Sequence, residues 1–282
     1  MDEYQERLSK LETSLEANLR EVRELRRLYS PNQSSPLVQI SETRDLSTRI
    51  EIPNTDLEEH VRRYGIKLED FIWLPQEESL KTVYHSKLKQ HGILVAMERS
   101  RFGMRYKGAE TDLHNTGALM IVLPEFTSLG RLLGSDEVYD GNGNPINKGK
   151  ITGVNNNIFE VRDPWRAEFS GNKFTKTKSG VTTTYFTINK GGKLEKVTEP
   201  LDNETLLEDQ KIDLNAWLKN PTSQGLPKTN TSNGSTWYWP PRDSAVAVFY
   251  ANTFRAGLFC YGNPDNSNAS LGVREVRAKF FS

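Results

Sequence analysis

The chain has 282 residues, enough for one large domain or two small ones, with Lys plus Arg and Asp plus Glu balanced at 37 each. A formal net charge of zero supplies none of the cationic excess that general nucleic-acid binding needs, so no nucleic-acid partner is expected. A hydrophobic content of 35%, with Gly, Asn and Thr plentiful, describes a loop-rich globular domain joined to a solvated, non-globular piece.

The opening Met1-Asp-Glu-Tyr-Gln-Glu-Arg7 is too charged for a signal peptide, and no later run reaches the length of a membrane span. Synthesis in the cytoplasm is expected, and display on a virion or cell surface would need a route other than a cleaved signal. Residues 1–29 carry a seven-residue repeat. Met1, Leu8, Leu15, Val22 and Tyr29 fall at one heptad position, and Tyr4, Leu11, Asn18 and Leu25 at the other. A stripe this narrow predicts a coiled-coil helix that forms a homo-oligomer, with Asn18 in the seam penalising shifted registers; an amphipathic helix lying on its own domain is the alternative. Pro31-Asn-Gln-Ser-Ser-Pro36 then breaks the helix as a linker, and residues 37–52 continue as a weakly patterned stalk.

Asp56 to Tyr64 reads as a short helix, capped by Asn54 or Thr55 and stopped by Gly65. Phe71-Ile-Trp-Leu74 and Gly92-Ile-Leu-Val-Ala-Met97 read as buried strands. Ala118-Leu-Met-Ile-Val-Leu123, closed by Pro124, reads as the core strand. Beyond Phe126 short strands and long loops are expected. Asp140-Gly-Asn-Gly-Asn-Pro145 marks a tight turn. Val181 to Asn189 and Lys193 to Val197, joined through Gly191-Gly192, form a hairpin signal. Leu201 to Lys219 has helical spacing in Leu206, Leu207, Trp217 and Leu218.

None of these segments carries a recognisable catalytic set. Cys260 is the only cysteine, which excludes an internal disulfide and a zinc site built on several thiolates. The Asp140 turn alternates Asp and Asn with Gly, but the twelfth residue of a calcium loop would be Ile151 where a bidentate Glu is required. His60, His85, His91 and His114 have no metal-ligand spacing, and no phosphate loop or nucleophile elbow occurs. Glu77-Glu78 and Glu208-Asp209 are adjacent carboxylates of a kind any long chain contains. The reading is therefore of a protein that is not an enzyme and uses neither metal nor cofactor.

Residues 245–261 separate by parity. Ala245, Ala247, Phe249 and Ala251, then Ala256, Leu258 and Cys260, form a small apolar face. Val246, Val248, Tyr250 and Asn252, then Gly257, Phe259 and Tyr261, form the other. The second face carries aromatics among Asn, Gly and Asp, where a soluble sheet usually shows Lys, Glu or Thr. That composition suits a binding surface, unless the rings are covered by the rest of the domain. Trp237 and Trp239 share a face and read as a core anchor, with a wall of the site as the alternative.

Asp243-Ser-Ala-Val-Ala-Val-Phe249, Ala256-Gly-Leu-Phe-Cys260, Asn263-Pro-Asp-Asn-Ser-Asn268 and Ser270-Leu-Gly-Val-Arg-Glu-Val-Arg277 resemble the variable region of diversity-generating retroelement variable proteins. The resemblance implies an α+β, C-type-lectin-like fold with short strands and long loops. It is strongest over residues 237–277 and extends back to about Leu113 through Asn115–Pro124 and Arg162–Phe169. It does not explain residues 1–50, and with the heptad reading the chain is expected in three parts: a coiled-coil helix and linker at 1–36, an α/β extension at 37–112 packing on the main domain, and the ligand-binding domain at 113–282. In that family reverse transcription of a template repeat mutates adenines, with Asn codons the usual targets. The varied positions would be Val248, Tyr250, Asn252, Phe254, Gly257, Phe259, Tyr261, Asp265, Asn266 and Asn268. Each of these residue types is reachable from an Asn codon through its first two bases. Trp, Lys, Glu, Gln and Met are not reachable, and none occurs there. The resemblance also implies that Gly272–Arg277 is the closing core strand and that the ligand is a protein or other macromolecule. Calcium-dependent sugar binding does not carry over, because the acidic and amide cluster of true C-type lectins is absent. A tail-fibre or stalk subunit is the structural alternative. A formylglycine-generating oxidase would need a second thiol beside Cys260.

Overall fold

The structure, a computed structural model, describes residues 57–75, 92–135, 137–188 and 194–279. The architecture is mixed α/β, with one large open sheet and few helices. The chain divides into two units, residues 1–46 and 47–282, and every described residue belongs to the second. The heptad segment 1–29, the linker 31–36, residues 37–52, and Asn54 and Thr55 lie outside the described residues.

Helix α1 (Leu57–Tyr64) stops at Gly65, whose φ of +62° places it in the left-handed region where a Cβ is penalised. Strands β1 (Phe71–Pro75) and β2 (Gly92–Ser100) follow, paired antiparallel with Trp73 opposite Leu94. Next come α2 (Tyr106–Asn115), β3 (Leu119–Met120), α3 (Leu123–Leu133), β4 (Tyr139–Asp140) and α4 (Lys148–Phe159). The long strand β5 (Arg166–Thr177) is followed by β6 (Gly180–Ile188), β7 (Leu194–Pro200), β8 (Gln210–Ile212) and α5 (Leu214–Lys219). The chain closes with β9 (Thr236–Trp239), β10 (Ala245–Ala251), β11 (Ala256–Gly262) and β12 (Leu271–Lys279).

Among the described residues the 12 strands form one sheet; nine follow the order β4-β1-β2-β12-β5-β10-β11-β9-β8, β3 pairs with β12, and β6 and β7 branch from β5. The expected hairpin is β6–β7, antiparallel from Thr182 opposite Pro200 to Ile188 opposite Leu194, and it extends outward from the far half of β5. The Asp140 turn also forms. The Asp140 carboxylate accepts the Asn142 and Asn144 N–H groups at 2.8 and 2.9 Å, and Gly143 takes a φ of +84°.

Three expectations need correction. Ala118–Leu123 is not one core strand: only Leu119 and Met120 pair with β12, and Leu123 already opens α3. Pro124 starts that helix rather than ending a strand, because the first helical turn has no use for the missing N–H. The Glu125 carboxylate accepts the Val122 N–H at 3.1 Å and caps the same turn. Helices α3 and α4 lie where loops were expected. In α4 the Asn147 side chain accepts the Lys150 N–H at 2.8 Å, and Ile151, Val154 and Ile158 recur on the buried stripe. Conversely, only Leu214–Lys219 of the stretch 201–219 is helical. Long-range bonds hold the rest: Leu206 donates its N–H to Pro227 O at 2.9 Å and accepts the Tyr238 hydroxyl at 2.9 Å. Strands from both sides of position 113, which itself lies in α2, join the one sheet. Strand β2 lies between β1 and β12, inside the sheet.

Two apolar clusters lie on opposite faces of this sheet. The larger gathers Ile121, Phe126, Leu129, Phe159, Trp217, Phe249 and Leu258, so α3, α4 and α5 cover that face. The smaller gathers Tyr106, Ala109 and Leu113 of α2 with Phe169, Val248, Tyr250, Phe259 and Val273. Burying a ring of this size contributes roughly 1.5–3 kcal/mol, so both clusters matter to the fold.

Candidate functional site

The parity read from residues 245–261 is reproduced by the two clusters. Ala247, Phe249, Ala251, Ala256, Leu258 and Cys260 all enter the larger one. There Phe249 meets Phe126, Phe159 and Trp217 at ring-centroid distances of 5.2, 5.5 and 6.3 Å. The alternate residues Val246, Val248, Tyr250 and Phe259 enter the smaller one. Strand pairing aligns them. Val248 stands opposite Phe259 and Tyr250 opposite Gly257, while Gly257 and Phe259 pair in turn with Trp237 and Trp239 of the parallel strand β9. One row thus runs Trp237, Gly257, Tyr250, Ala167, and the next Trp239, Phe259, Val248, Phe169.

The connection from β11 to β12 reaches the same face. Strand β10 is antiparallel to both β11 and β5, and β12 is parallel to β5, so β11 and β12 run the same way. Residues 263–270 must therefore cross from one end of the sheet to the other. Tyr106 donates its backbone N–H to Pro264 O at 2.9 Å, and Gly103 donates to Leu271 O at 3.1 Å. The crossover accordingly lies on the α2 side, and Asp265, Asn266 and Asn268 ride on it.

Exposure divides the ten candidate positions. Val248, Tyr250, Phe259 and Asn252 are buried at 2, 5, 5 and 6% exposure, and Gly257 is buried as well. Tyr261, Asn266 and Asn268 are half-buried, whereas Asp265 is exposed and Phe254 stands out at 56%. The inner part of the second face is therefore covered, not presented to solvent. Tyr250 and Phe259 meet edge to face at 4.4 Å, and Trp239 stacks on Phe259 at 4.0 Å. Four candidates carry structural duties besides. A side chain at Gly257 would run into the Trp237 carbonyl, so glycine there sets how closely β9 and β11 approach. The Asn252 side chain accepts the N–H groups of Phe254 and Arg255, both at 2.9 Å, and shapes the turn between β10 and β11. Asn266 and Asn268 do likewise within the crossover, accepting from Asn268 and Ser270 at 3.1 and 2.8 Å.

The open margin of the face belongs to β9 and the ends of β11. Tyr238 is the member of Trp237-Tyr-Trp239 that enters the larger core, with no exposed area, and the two tryptophans are half-buried on the opposite side. The expected core anchor is met in part: a strand sends alternate residues to opposite faces, and Trp239 packs on the smaller cluster while Trp237 belongs to neither. Their rings stack at 5.6 Å with planes 20° apart. The Arg255 guanidinium lies 5.6 and 5.7 Å from the two ring centroids, Lys211 lies 5.2 Å over Trp237, and Arg242 lies 4.5 Å over Tyr261. Flat π faces bordered by cations form a ledge suited to holding a partner by stacking and charge-assisted hydrogen bonds. Arg242, Arg255 and Lys211 escape a sequence reading. Lys211 reaches the ledge only through the pairing of β8 with β9, and nothing local signals it.

Among the described residues no group of three or more His, Cys, Asp or Glu side chains could hold a metal ion, and no helix is long and apolar enough to cross a membrane. Cys260 is fully buried in the larger core, and burial pushes its thiol well above the ordinary range. Compared with known proteins, the chain matches no protein-family model, no curated protein and no solved structure.

Proposed function

We propose that this chain is a ligand-binding protein of C-type-lectin-like fold whose recognition surface is diversified by a retroelement. The observation that carries the reading is convergence. The strand candidates Val248, Tyr250, Gly257, Phe259 and Tyr261 share the face opposite the larger core. Asp265, Asn266 and Asn268 ride the crossover over that face, and Asn252 and Phe254 sit in the turn that ends it. Positions that a varying sequence must leave alone, Ala247, Phe249, Ala251, Ala256, Leu258 and Cys260, all lie on the core side. The central place of β12, with Val273 and Val276 buried, agrees with a closing core strand at Gly272–Arg277.

On this reading contact is made at the margin: Trp237, Trp239 and Tyr261 with Arg242 and Arg255, together with exposed Phe254 and Asp265. The partner is a protein or other macromolecule, since an open ledge of aromatic and guanidinium groups offers area rather than enclosure. Sequencing the gene's neighbourhood is the test. The expected result is a near-copy of codons 245–277 beside a reverse transcriptase, reading AAC or AAT at the ten candidate codons. Lack of any near-copy, or mismatches spread over codons without adenine in the template, overturns the proposal.

A further inference from the structure

Four guanidinium groups gather around one carboxylate at the end of β5 nearest the β10–β11 turn. Arg166 lies opposite Ala251 on β5, two residues from Glu168 on the same side of the strand. Arg274 of β12 takes that carboxylate through Nε at 3.1 Å and Nη2 at 3.0 Å, and its Nη1 donates to the Ala96 and Met97 carbonyls. Arg99 donates from Nη1 to Ala167 O and Ser270 O at 2.8 and 2.9 Å. Arg162 enters through its backbone N–H, which bonds Asn252 O at 2.9 Å.

Arg166 has no such outlet. It is 1% exposed, and among the described residues none of its three guanidinium nitrogens has a hydrogen-bond partner. The Arg162 Nε and the second Glu168 oxygen are likewise buried without partners there. Burial, with Arg99, Arg274 and Arg162 as like-charged neighbours against the single Glu168, pushes the Arg166 guanidinium down to about 10. A buried charged donor without an acceptor is among the costliest things a fold can contain, and such groups call for an ion or water that completes them. Four cations against Glu168, with Glu98 acting on Arg99 besides, leave the cluster positive, and planar guanidinium forks match the oxygens of a tetrahedral anion.

We propose that Arg166, with Arg99 and Arg162 on its half-buried side, forms an oxyanion-binding site that takes hydrogen phosphate. The unmatched Glu168 oxygen sets the preference. It can accept a hydrogen bond from a P–OH group, which hydrogen phosphate keeps near neutral pH and which sulfate and carboxylate ions lack. The bound ion would brace the base of the Asn252–Arg255 turn from beneath, through Arg162. The site is distinct from the aromatic ledge and stands whether or not that ledge is diversified.

Thermal unfolding of the full-length protein in potassium phosphate, potassium sulfate, potassium acetate and O-phosphoserine, at matched ionic strength and neutral pH, tests this. Phosphate should raise Tm progressively with its concentration, as a ligand of the folded state does, and more than the other three ions. Arg166→Met should abolish the response while raising Tm in phosphate-free buffer, because an apolar side chain replaces an unmatched buried charge. Should that variant fail to fold, Arg162→Gln, at a half-buried position, should weaken phosphate binding about tenfold by calorimetry. No stabilisation by phosphate overturns the site, as does an equal response to sulfate, acetate or phosphoserine. An unchanged phosphate affinity in Arg162→Gln, or a wild-type response in Arg166→Met, overturns it too.

Discussion

The two faces of the β10–β11 hairpin come from alternate residues of one short stretch, yet they are buried by different means. The face of Phe249 and Leu258 is sealed by three helices, whose rings pack against one another on every side. The face of Tyr250 and Phe259 is sealed by one helix, a crossing loop and the stacked Trp239, and it opens at the β9 margin. Alternation in a strand therefore distinguishes two faces without saying which meets water. The second face is itself divided into a covered inner part and an exposed rim, and only the rim has the geometry of a contact surface.

The largest effects should come from breaking the two faces in turn. Phe249→Ala is expected to cost about 3–5 kcal/mol in chemical denaturation, since its neighbours are held too tightly to close the cavity. Phe259→Ala should cost less, about 2–3 kcal/mol, because Trp239 is half-exposed and can settle into part of the space. Equal costs would show the second face to be as tightly packed as the first. A negligible cost at Phe259 would restore the view that this face is presented to solvent.

A smaller effect gauges how dry the helix-covered side is. Burial raises the Glu125 carboxyl from 4.5 to about 7, with the Val122 N–H bond opposing the shift. The folded state then holds a proton that the unfolded chain has released, so stability should fall as pH rises from about 4.5 to 7. Partial exposure of the residue keeps the slope at or below ~1 kcal/mol per pH unit. Glu125→Gln should flatten urea midpoints across that window. The same slope in the variant would assign the pH dependence elsewhere.

The smallest effect belongs to the rim. Phe254 is 56% exposed, and Phe254→Ala should change stability by under about 0.5 kcal/mol. A larger loss would mean that Phe254 is part of the packing and not available to a partner.

Legibility followed the range of the forces involved. Gly65 as a helix stop, the Asp140 turn and the β6–β7 hairpin were all visible, because each depends on neighbours a few residues away. Helix α3 was hidden inside an apolar run that suits a strand equally well, and Pro124 was ambiguous between an ending and a beginning. Helix α4 carried its signal in Asn147, Ile151, Val154 and Ile158, diluted by three consecutive asparagines. The stretch 201–213 had helical spacing but is held by Pro227 and Tyr238, partners that no local window contains. Trp237 and Trp239 were legible as sharing a face, but the assignment of that face depended on Tyr238, whose hydroxyl finds Leu206 across the core.

By itself the sequence determined which residues of β10 and β11 travel together, because the strand's two-residue period is a property of the backbone and needs no neighbour. Only the tertiary structure decided what each set meets. The β11–β12 crossover and α2 converge on one side, β9 joins the edge in parallel, and Arg166 is enclosed with no acceptor in reach among the described residues. Those outcomes rest on contacts between segments far apart in the chain, and water is excluded from a face only when such segments arrive together.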